Sequence, residues 1–442
     1  MRLFQKIQLL LMLGFFFQTQ AQAALQLELT QGMNAAIPIV IVPFANQTNN
    51  VSGNTTLSQV ISNDLQNSGE FSVKAPGMLT SLPVQVSQIN TAYWQKQGAN
   101  DIVIGQVHAM GDGKYEVLFQ LVNLYAPVNP QNPNAGVLLN QGFTVNQAGL
   151  RGLAHHISDM IYQKLIGVRG IFSTKIAYVL AQHYNNGSAH YQLVVADEDG
   201  FDPQTLFSSA QPIMSPTWAR DGHSLAYVSF EGHHQSIYLQ NLSSGSRQLL
   251  AHFPGVNSSP AFSPNDRRLA MVLTLNTGNP NIYVMDLATH RLTQITNDTA
   301  IDTEPTWSPD GNSLFFTSSR AGGPEIYRYD FANHQVSRVT FDGAYNARTC
   351  LTPHANTLVI IHGDGSGYNI AKQDLNSGRL TILTDGGADD SPSLAPNGKM
   401  ILYGTRFSGH EVLGLVSIDG RVKLRLPSQQ GDVQDPSWSP FL

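Results

Sequence analysis

Pro305-Thr306-Trp307-Ser308-Pro309-Asp310-Gly311 decides the fold, because the chain repeats it. Pro260-Ala261-Phe262-Ser263-Pro264 stands 45 residues earlier, and Pro216-Thr217-Trp218-Ala219-Arg220-Asp221-Gly222 another 44 before that. Going forward, a decayed copy, Thr349-Cys350-Leu351-Thr352-Pro353, follows after 44 residues. Pro392-Ser393-Leu394-Ala395-Pro396-Asn397-Gly398 comes 43 later, and Pro436-Ser437-Trp438-Ser439-Pro440 ends the series 44 after that. Three of the four Trp residues sit in this motif. A period of this length marks a repeat architecture. Within a copy, the Trp, Phe or Leu stretch reads as an inner strand. Pro-Asp-Gly makes a tight turn, with Pro setting φ and Gly accepting positive φ. A second strand follows, such as Leu314-Phe315-Phe316, then a third, such as Ile282-Tyr283-Val284-Met285-Asp286. The fourth is short and often ends in Thr, as in Gln294-Ile295-Thr296 and Arg338-Val339-Thr340. Four short antiparallel strands per repeat are the signature of a β-propeller blade.

The two ends of the repeat region complement each other. The last copy has an inner strand and then the chain stops. Ile176-Ala177-Tyr178-Val179 and Leu193-Val194-Val195-Ala196-Asp197 match a second and a third strand with no inner strand before them. Joined, they make one blade, so six inner strands imply six blades in a closed ring. An open solenoid would need capping repeats instead.

Upstream of the ring the repeat is absent. Ile37 to Val42 is an apolar, β-branched run and reads as a buried strand. Leu57, Val60, Ile61 and Leu65 have helical spacing and stop at Asn67-Ser68-Gly69. Ile102-Val103-Ile104 and residues 116–124 read as strands, and 127–136 as a polar loop. Leu153, Ile157, Met160, Ile161 and Leu165 make an amphipathic helix that leads to a linker at 167–170. The fold class is therefore an α/β N-terminal domain followed by an all-β six-bladed propeller. The expected boundaries are 1–23 for a leader, 24–169 for the α/β domain and 170–442 for the propeller.

Composition excludes several classes. Of 442 residues, 25 are Lys or Arg and 31 Asp or Glu, a net charge of −6. No basic excess exists to hold a phosphate backbone, so nucleic acid is not an expected partner. The single cysteine, Cys350, allows neither an intrachain disulfide nor a Cys-based zinc cluster. The N-terminus has Arg2 and Lys6, then an apolar run, then Ala21-Gln22-Ala23. This pattern is an export signal, with cleavage expected between Ala23 and Ala24. Eleven apolar residues are too few to span a bilayer. The mature chain is expected to be exported and not membrane-spanning.

These features resemble the TolB family, the periplasmic components of the Tol-Pal system of Gram-negative envelopes. The likeness rests on the leader, the α/β domain, the W-S-P-D-G repeats, Ile282-Tyr283-Val284-Met285-Asp286-Leu287, Ile370-Ala371-Lys372-Gln373-Asp374-Leu375 and the C-terminal Pro436-Ser437-Trp438-Ser439-Pro440-Phe441-Leu442. The resemblance implies a non-enzymatic adaptor with no cofactor. Its propeller mouth is expected to bind the lipoprotein Pal, and its mature N-terminal segment the inner-membrane protein TolA. The system keeps the outer membrane attached and constricting during cell division, and some colicins exploit the same mouth.

The loops entering the inner strands are expected to cluster at one mouth of the channel. They end at Ser215, Ser259, Glu304, Arg348, Ser391 and Asp435, one residue before each motif. One position earlier stand Met214, Ser258, Thr303, Ala347, Asp390 and Gln434. With Val256, Asn257, Asp302 and Asp389, these residues form the expected Pal site, a polar and mildly acidic ring. Such a ring suits a protein loop, a sugar or a cation. Thr303-Glu304-Pro305 and Asn257 match the family pattern, whereas Val256 and Ser259 depart from it. The segment Leu25-Gln26-Leu27-Glu28-Leu29-Thr30 alternates apolar and polar side chains. It reads either as a strand offered to a partner, the TolA site of the resemblance, or as an edge strand of its own domain.

The competing class is a propeller hydrolase or sugar-binding protein. A hydrolase of this kind needs Gly-x-Ser-x-Gly at a strand-to-helix elbow. Gly363-Asp364-Gly365-Ser366-Gly367 approaches that pattern but falls in a hairpin turn. Neither His155-His156 nor His233-His234 has the spacing of a helical zinc pair. Asp197-Glu198-Asp199-Gly200 is too short for a calcium loop and reads as a hairpin turn. No catalytic residue and no metal site is expected.

Overall fold

The computed structural model describes residues 26–29, 36–46, 56–75, 82–126, 134–275, 278–426 and 431–442. The expected leader, its cleavage site at Ala23 and Ala24, and Leu25 and Thr30 lie outside the described residues. Every motif copy forms the inner strand of an antiparallel sheet, four-stranded in five blades and five-stranded in the sixth. The second blade, for instance, runs Ile213–Trp218, Ser224–Ser229, Ser236–Asn241 and Arg247–Ala251 from the channel outward. The third, fourth, fifth and sixth blades open with Asn257–Phe262, Asp302–Trp307, Tyr345–Leu351 and Asp390–Leu394. The first blade takes its inner strand, Asp432–Trp438, from the C-terminus and its second, Lys175–His183, from the start of the ring. The chain is thus a small α/β region followed by a six-bladed propeller closed by its terminal strand.

The motif's side chains explain why it recurs. The indole N–H of Trp307 donates to the carbonyl of Ala261 in the preceding blade at 3.1 Å, and that of Trp218 to Ser437 at 3.1 Å. Each Trp therefore fills the gap between blades with its apolar body and ties their backbones with its polar edge. The Thr that ends the fourth strand stitches its own blade. Thr340 and Thr384 hydroxyls accept the amides of Ile326 and Ile370 at 2.9 and 2.8 Å. These bonds satisfy buried backbone donors where the short outer strand runs out.

The N-terminal region holds a mixed sheet in the order Phe71–Lys74, Ile37–Ile41, Asp101–Gly111, Lys114–Asn123, Val137–Asn146. Helices Leu57–Asn67 and Leu150–Ile166 pack on one face, burying Ile61, Leu65, Ile157 and Ile161 against Ile39, Phe119 and Leu121. Thr56 and Gln59 form a capping box at the first helix, and Gly167, at φ 87°, ends the second. The edge strand Val137–Asn146, the strand Phe71–Lys74 and the short helix Thr91–Lys96 are elements that sequence reading did not anticipate.

Gln26–Leu29 pairs antiparallel with Val422–Arg425, the outer strand of the sixth blade. This corrects the expectation of an edge strand within its own domain. The segment extends a propeller blade to five strands, with Gln26 opposite Arg425 and Leu29 opposite Val422.

Candidate functional site: the mouth and channel of the propeller

Strand direction assigns the two faces of the ring. The connections into each inner strand, and the turns between second and third strands, open on one face, the mouth. The Pro-Asp-Gly turns and the turns between third and fourth strands lie on the other. The α/β domain meets that far face, where Arg151 bonds Asp197 and where the amide of Asn397 reaches the carbonyl of Arg169. Among the described residues, the mouth is clear of it.

Ser215, Ser259, Glu304, Arg348, Ser391 and Asp435 do not end loops, as the sequence suggested, but lie inside the inner strands. All six have left-handed backbones, with φ between 47° and 55°. At each, the register with the second strand slips, as between Met214 and Thr217 or Gln434 and Ser437. Each is therefore a β-bulge, which re-aims a side chain at the cost of backbone strain. In five copies the next residue is Pro, which has no amide to lose from the ladder. Together the six line a central channel of about 480 Å³.

One cation organises this ring. The Arg348 guanidinium lies 3.0 Å from Asp435, 3.5 Å from Asp390 and 3.6 Å from Glu304, carboxylates of three other blades. It also donates to the Ser391 hydroxyl. Glu304 further accepts the Thr317 hydroxyl at 2.8 Å and the Arg348 amide at 3.1 Å. Burial would lift the Asp435 carboxyl, but Arg348, the Ser215 amide and the Ser391 hydroxyl hold it below the usual carboxylate range. Burial likewise opposes the charge on Arg348, yet Asp435, Glu304 and Asp390 raise its basicity further. The ring is thus not an array of free acids but a set of carboxylates already bridged by arginine.

Four of the expected site residues turn inward. Asn257 and Asp302 are wholly buried, and Ala347 and Asp389 nearly so. Asn257 accepts the amide of Phe253 and donates to its carbonyl, at 2.9 and 2.7 Å. Asp302 takes Arg320 through both carboxylate oxygens at 3.0 and 2.8 Å. Asp389 accepts the Thr405 hydroxyl at 2.6 Å. A buried polar group must be partnered, so these residues shape the rim and do not face outward. Met214 and Asp390 are exposed, and Val256, Ser258, Thr303 and Gln434 are half-buried.

Sequence reasoning named Met214 but missed the rest of the apolar part of the same face. Tyr184, Met214, Ile301, Phe341, Tyr368 and Phe407 are all exposed, and all sit at the mouth side, in connections or at the strand ends next to them. Phe341 is 68 % exposed, with Arg338 over its ring at 4.9 Å. Phe407 carries Arg425 at 3.6 Å. They come from separate places along the chain, so only the closed ring brings them together.

Ser366, in the near-elbow sequence, donates to Asp364 at 2.6 Å within a hairpin turn, not at a strand-to-helix junction. Cys350 lines the channel, and burial pushes its thiol up to about 12. No helix among the described residues is long and apolar enough to cross a membrane.

Residues 25–128 match the family model described as the TolB amino-terminal domain, and residues 162–442 match that of the TolB beta propeller domain. The Tol-Pal system protein TolB of Coxiella burnetii is 52 % identical over 434 residues, covering 98 % of both chains. That of Legionella pneumophila strain Corby is 44 % identical over 419 residues, covering 95 % of this chain and 96 % of the relative. The crystal structure of TolB from Acinetobacter baumannii superposes with a TM-score of 0.84 at 40 % identity, over 95 % of this chain and all of that one. With both domain models matched in order and relatives aligned end to end, the chain belongs to the TolB family of Tol-Pal system proteins.

Proposed function

We propose that this chain is a periplasmic adaptor of the Tol-Pal system, taking Pal at the propeller mouth and TolA at its N-terminal segment. The observation that carries the Pal reading is the make-up of the mouth. Six exposed apolar side chains surround a polar, arginine-bridged centre. Soluble surfaces rarely gather so many large apolar groups on one face without a partner. Aromatic residues, Met and Arg are the types enriched in protein interfaces. A sugar site would instead favour a narrow pocket of converging polar groups.

The TolA reading is supported by the strand Gln26–Leu29. It ends its sheet among the described residues, so one row of its backbone donors and acceptors is free of a neighbouring strand. Such an edge suits recognition by strand addition. The two partners approach from different sides, one at the channel mouth and one at the outer rim of the sixth blade. An adaptor built this way links two envelope proteins, in keeping with roles in outer-membrane integrity and constriction at division. Colicins that enter through this system would use the same mouth.

Calorimetric titration with the periplasmic part of Pal tests the reading. Phe341→Ala is expected to weaken binding by about tenfold, or 1.4 kcal/mol, with the melting temperature unchanged. Deleting residues 24–34 is expected to abolish TolA binding and to leave Pal binding intact. Equal Pal affinity for Phe341→Ala together with Met214→Ala would place Pal elsewhere.

A further inference from the structure

Two sequence features without an assigned role meet at the junction of the domains. His155 lies on the helix Leu150–Ile166, and Glu198 lies in the turn after the strand Ala189–Asp197 of the first blade. Asp64, from the helix Leu57–Asn67, joins them. All three are more than nine-tenths buried. One ligand atom from each lies within 4.8 Å of the other two. The cluster borders an interdomain cavity of about 150 Å³, whose wall includes Asp64, Glu198 and Asp199.

The polar bonding here is incomplete. His155 Nδ1 meets Asp64 at 2.9 Å, but Nε2 has no hydrogen-bond partner and stops 3.9 Å short of Asp197. The Glu198 carboxylate makes no hydrogen bond among the described residues. Burial, then Asp199, Asp64 and Asp197, push it well above its ordinary range. The nearby cations are already engaged, since Arg151 bonds Asp197 and Asp199, and Lys175 bonds Asp197. Arg151 and Lys175 are spent on Asp197 and Asp199, and His155 on Asp64, so among the described residues Glu198 has no cation or hydrogen-bond donor of its own. A buried carboxyl without a partner, converging with a second carboxylate and an imidazole, is a set of groups that a cation would complete.

We propose that a divalent transition-metal ion binds at this junction, held by Asp64, His155 and Glu198. One imidazole nitrogen with two carboxylates suits Zn²⁺ or Mn²⁺ better than Ca²⁺, which prefers an all-oxygen shell. The ion replaces the proton between His155 Nδ1 and Asp64. The ring's other nitrogen then carries its hydrogen toward Asp197, the usual outer carboxylate of a metal-bound histidine. Two ligands come from the α/β domain and one from the propeller, so the ion ties the domains together. This departs from the sequence expectation, which dismissed the histidine pair and the acidic turn separately.

Mature full-length protein stripped with EDTA tests this. Calorimetry is expected to show one Zn²⁺ or Mn²⁺ per chain, and saturation to raise the melting temperature by at least about 3 °C. Glu198→Gln keeps the shape and removes the unpaired acid. It is expected to fold, to weaken the ion at least tenfold and to lose the thermal gain. The proposal is overturned by an absence of stoichiometric binding to the wild type, or by binding that Glu198→Gln leaves unchanged. It is equally overturned if Zn²⁺ binding is lost on mutating the exposed pair His233 and His234 instead.

Discussion

Asp435 shows how one residue can serve both strain and charge. Its left-handed backbone, at φ 47°, disfavours an L side chain, and its carboxylate offsets that by joining three blades. It accepts the Ser215 amide at 2.9 Å and bonds Arg348 at 3.0 Å. Because its folded pKa lies below the unfolded value of about 3.9, its contribution is present above that value. The contribution is lost as the pH falls through the folded value. Asp435→Asn is therefore expected to cost about 2 kcal/mol at pH 7, from removing one of the three carboxylates around a mostly buried arginine. The difference from wild type should shrink below about pH 3.5. Urea melts at the two pH values check this, and a constant difference would contradict it. The position of Asp435 in the repeat was readable from spacing alone. Its partner was not, because nothing in the spacing says that Arg348, two blades away, reaches across the channel.

Elements were legible where pattern and environment agree. The blade strands carry alternation and a turn signal, and three of the six copies a Trp, so each repeat confirms the next. Val137–Asn146 carries none of these. It is an edge strand, half exposed, with Asn140, Gln141 and Gly142 in its middle, and its pairing with Lys114–Asn123 comes from tertiary context. The helix stop at Gly69 was readable, but its second duty was not. At φ 73° it also faces the sixth blade, where an added Cβ would come within 2.1 Å of Val422 Cγ2. Gly98 has a similar φ of 76° with nothing within 4 Å of a Cβ. Gly98→Ala should then cost only the backbone strain, about 1 kcal/mol. Gly69→Ala should cost about 1–3 kcal/mol more, from crowding at the strand that also carries Gln26–Leu29. Thermal melts of the two variants make the comparison. Equal losses would mean that the contact yields freely.

On the scale of the whole molecule, the ring depends on its end. Trp438 donates its indole hydrogen to Thr174 at 2.8 Å, and the Leu442 carbonyl accepts from Arg169 at 2.9 Å. Removing residues 432–442 strips the first blade of its inner strand and bares a sheet edge. We expect a fall in melting temperature of about 10 °C or more, and an unchanged melt would argue against closure. Closure by the last strand also sets an order of events in time. Lys175–His183 must wait for Asp432–Trp438, and the wait lasts until nearly the whole chain has arrived. Closing so long a loop is slow. As the chain is made, five blades can form while the first still shows an unpaired strand to its surroundings. A chain that emerges from its N-terminus is thus most exposed to proteases and to mispairing in the interval before residues 432–438 arrive. A circular permutant that makes all six blades continuous would shorten that interval without altering the finished ring.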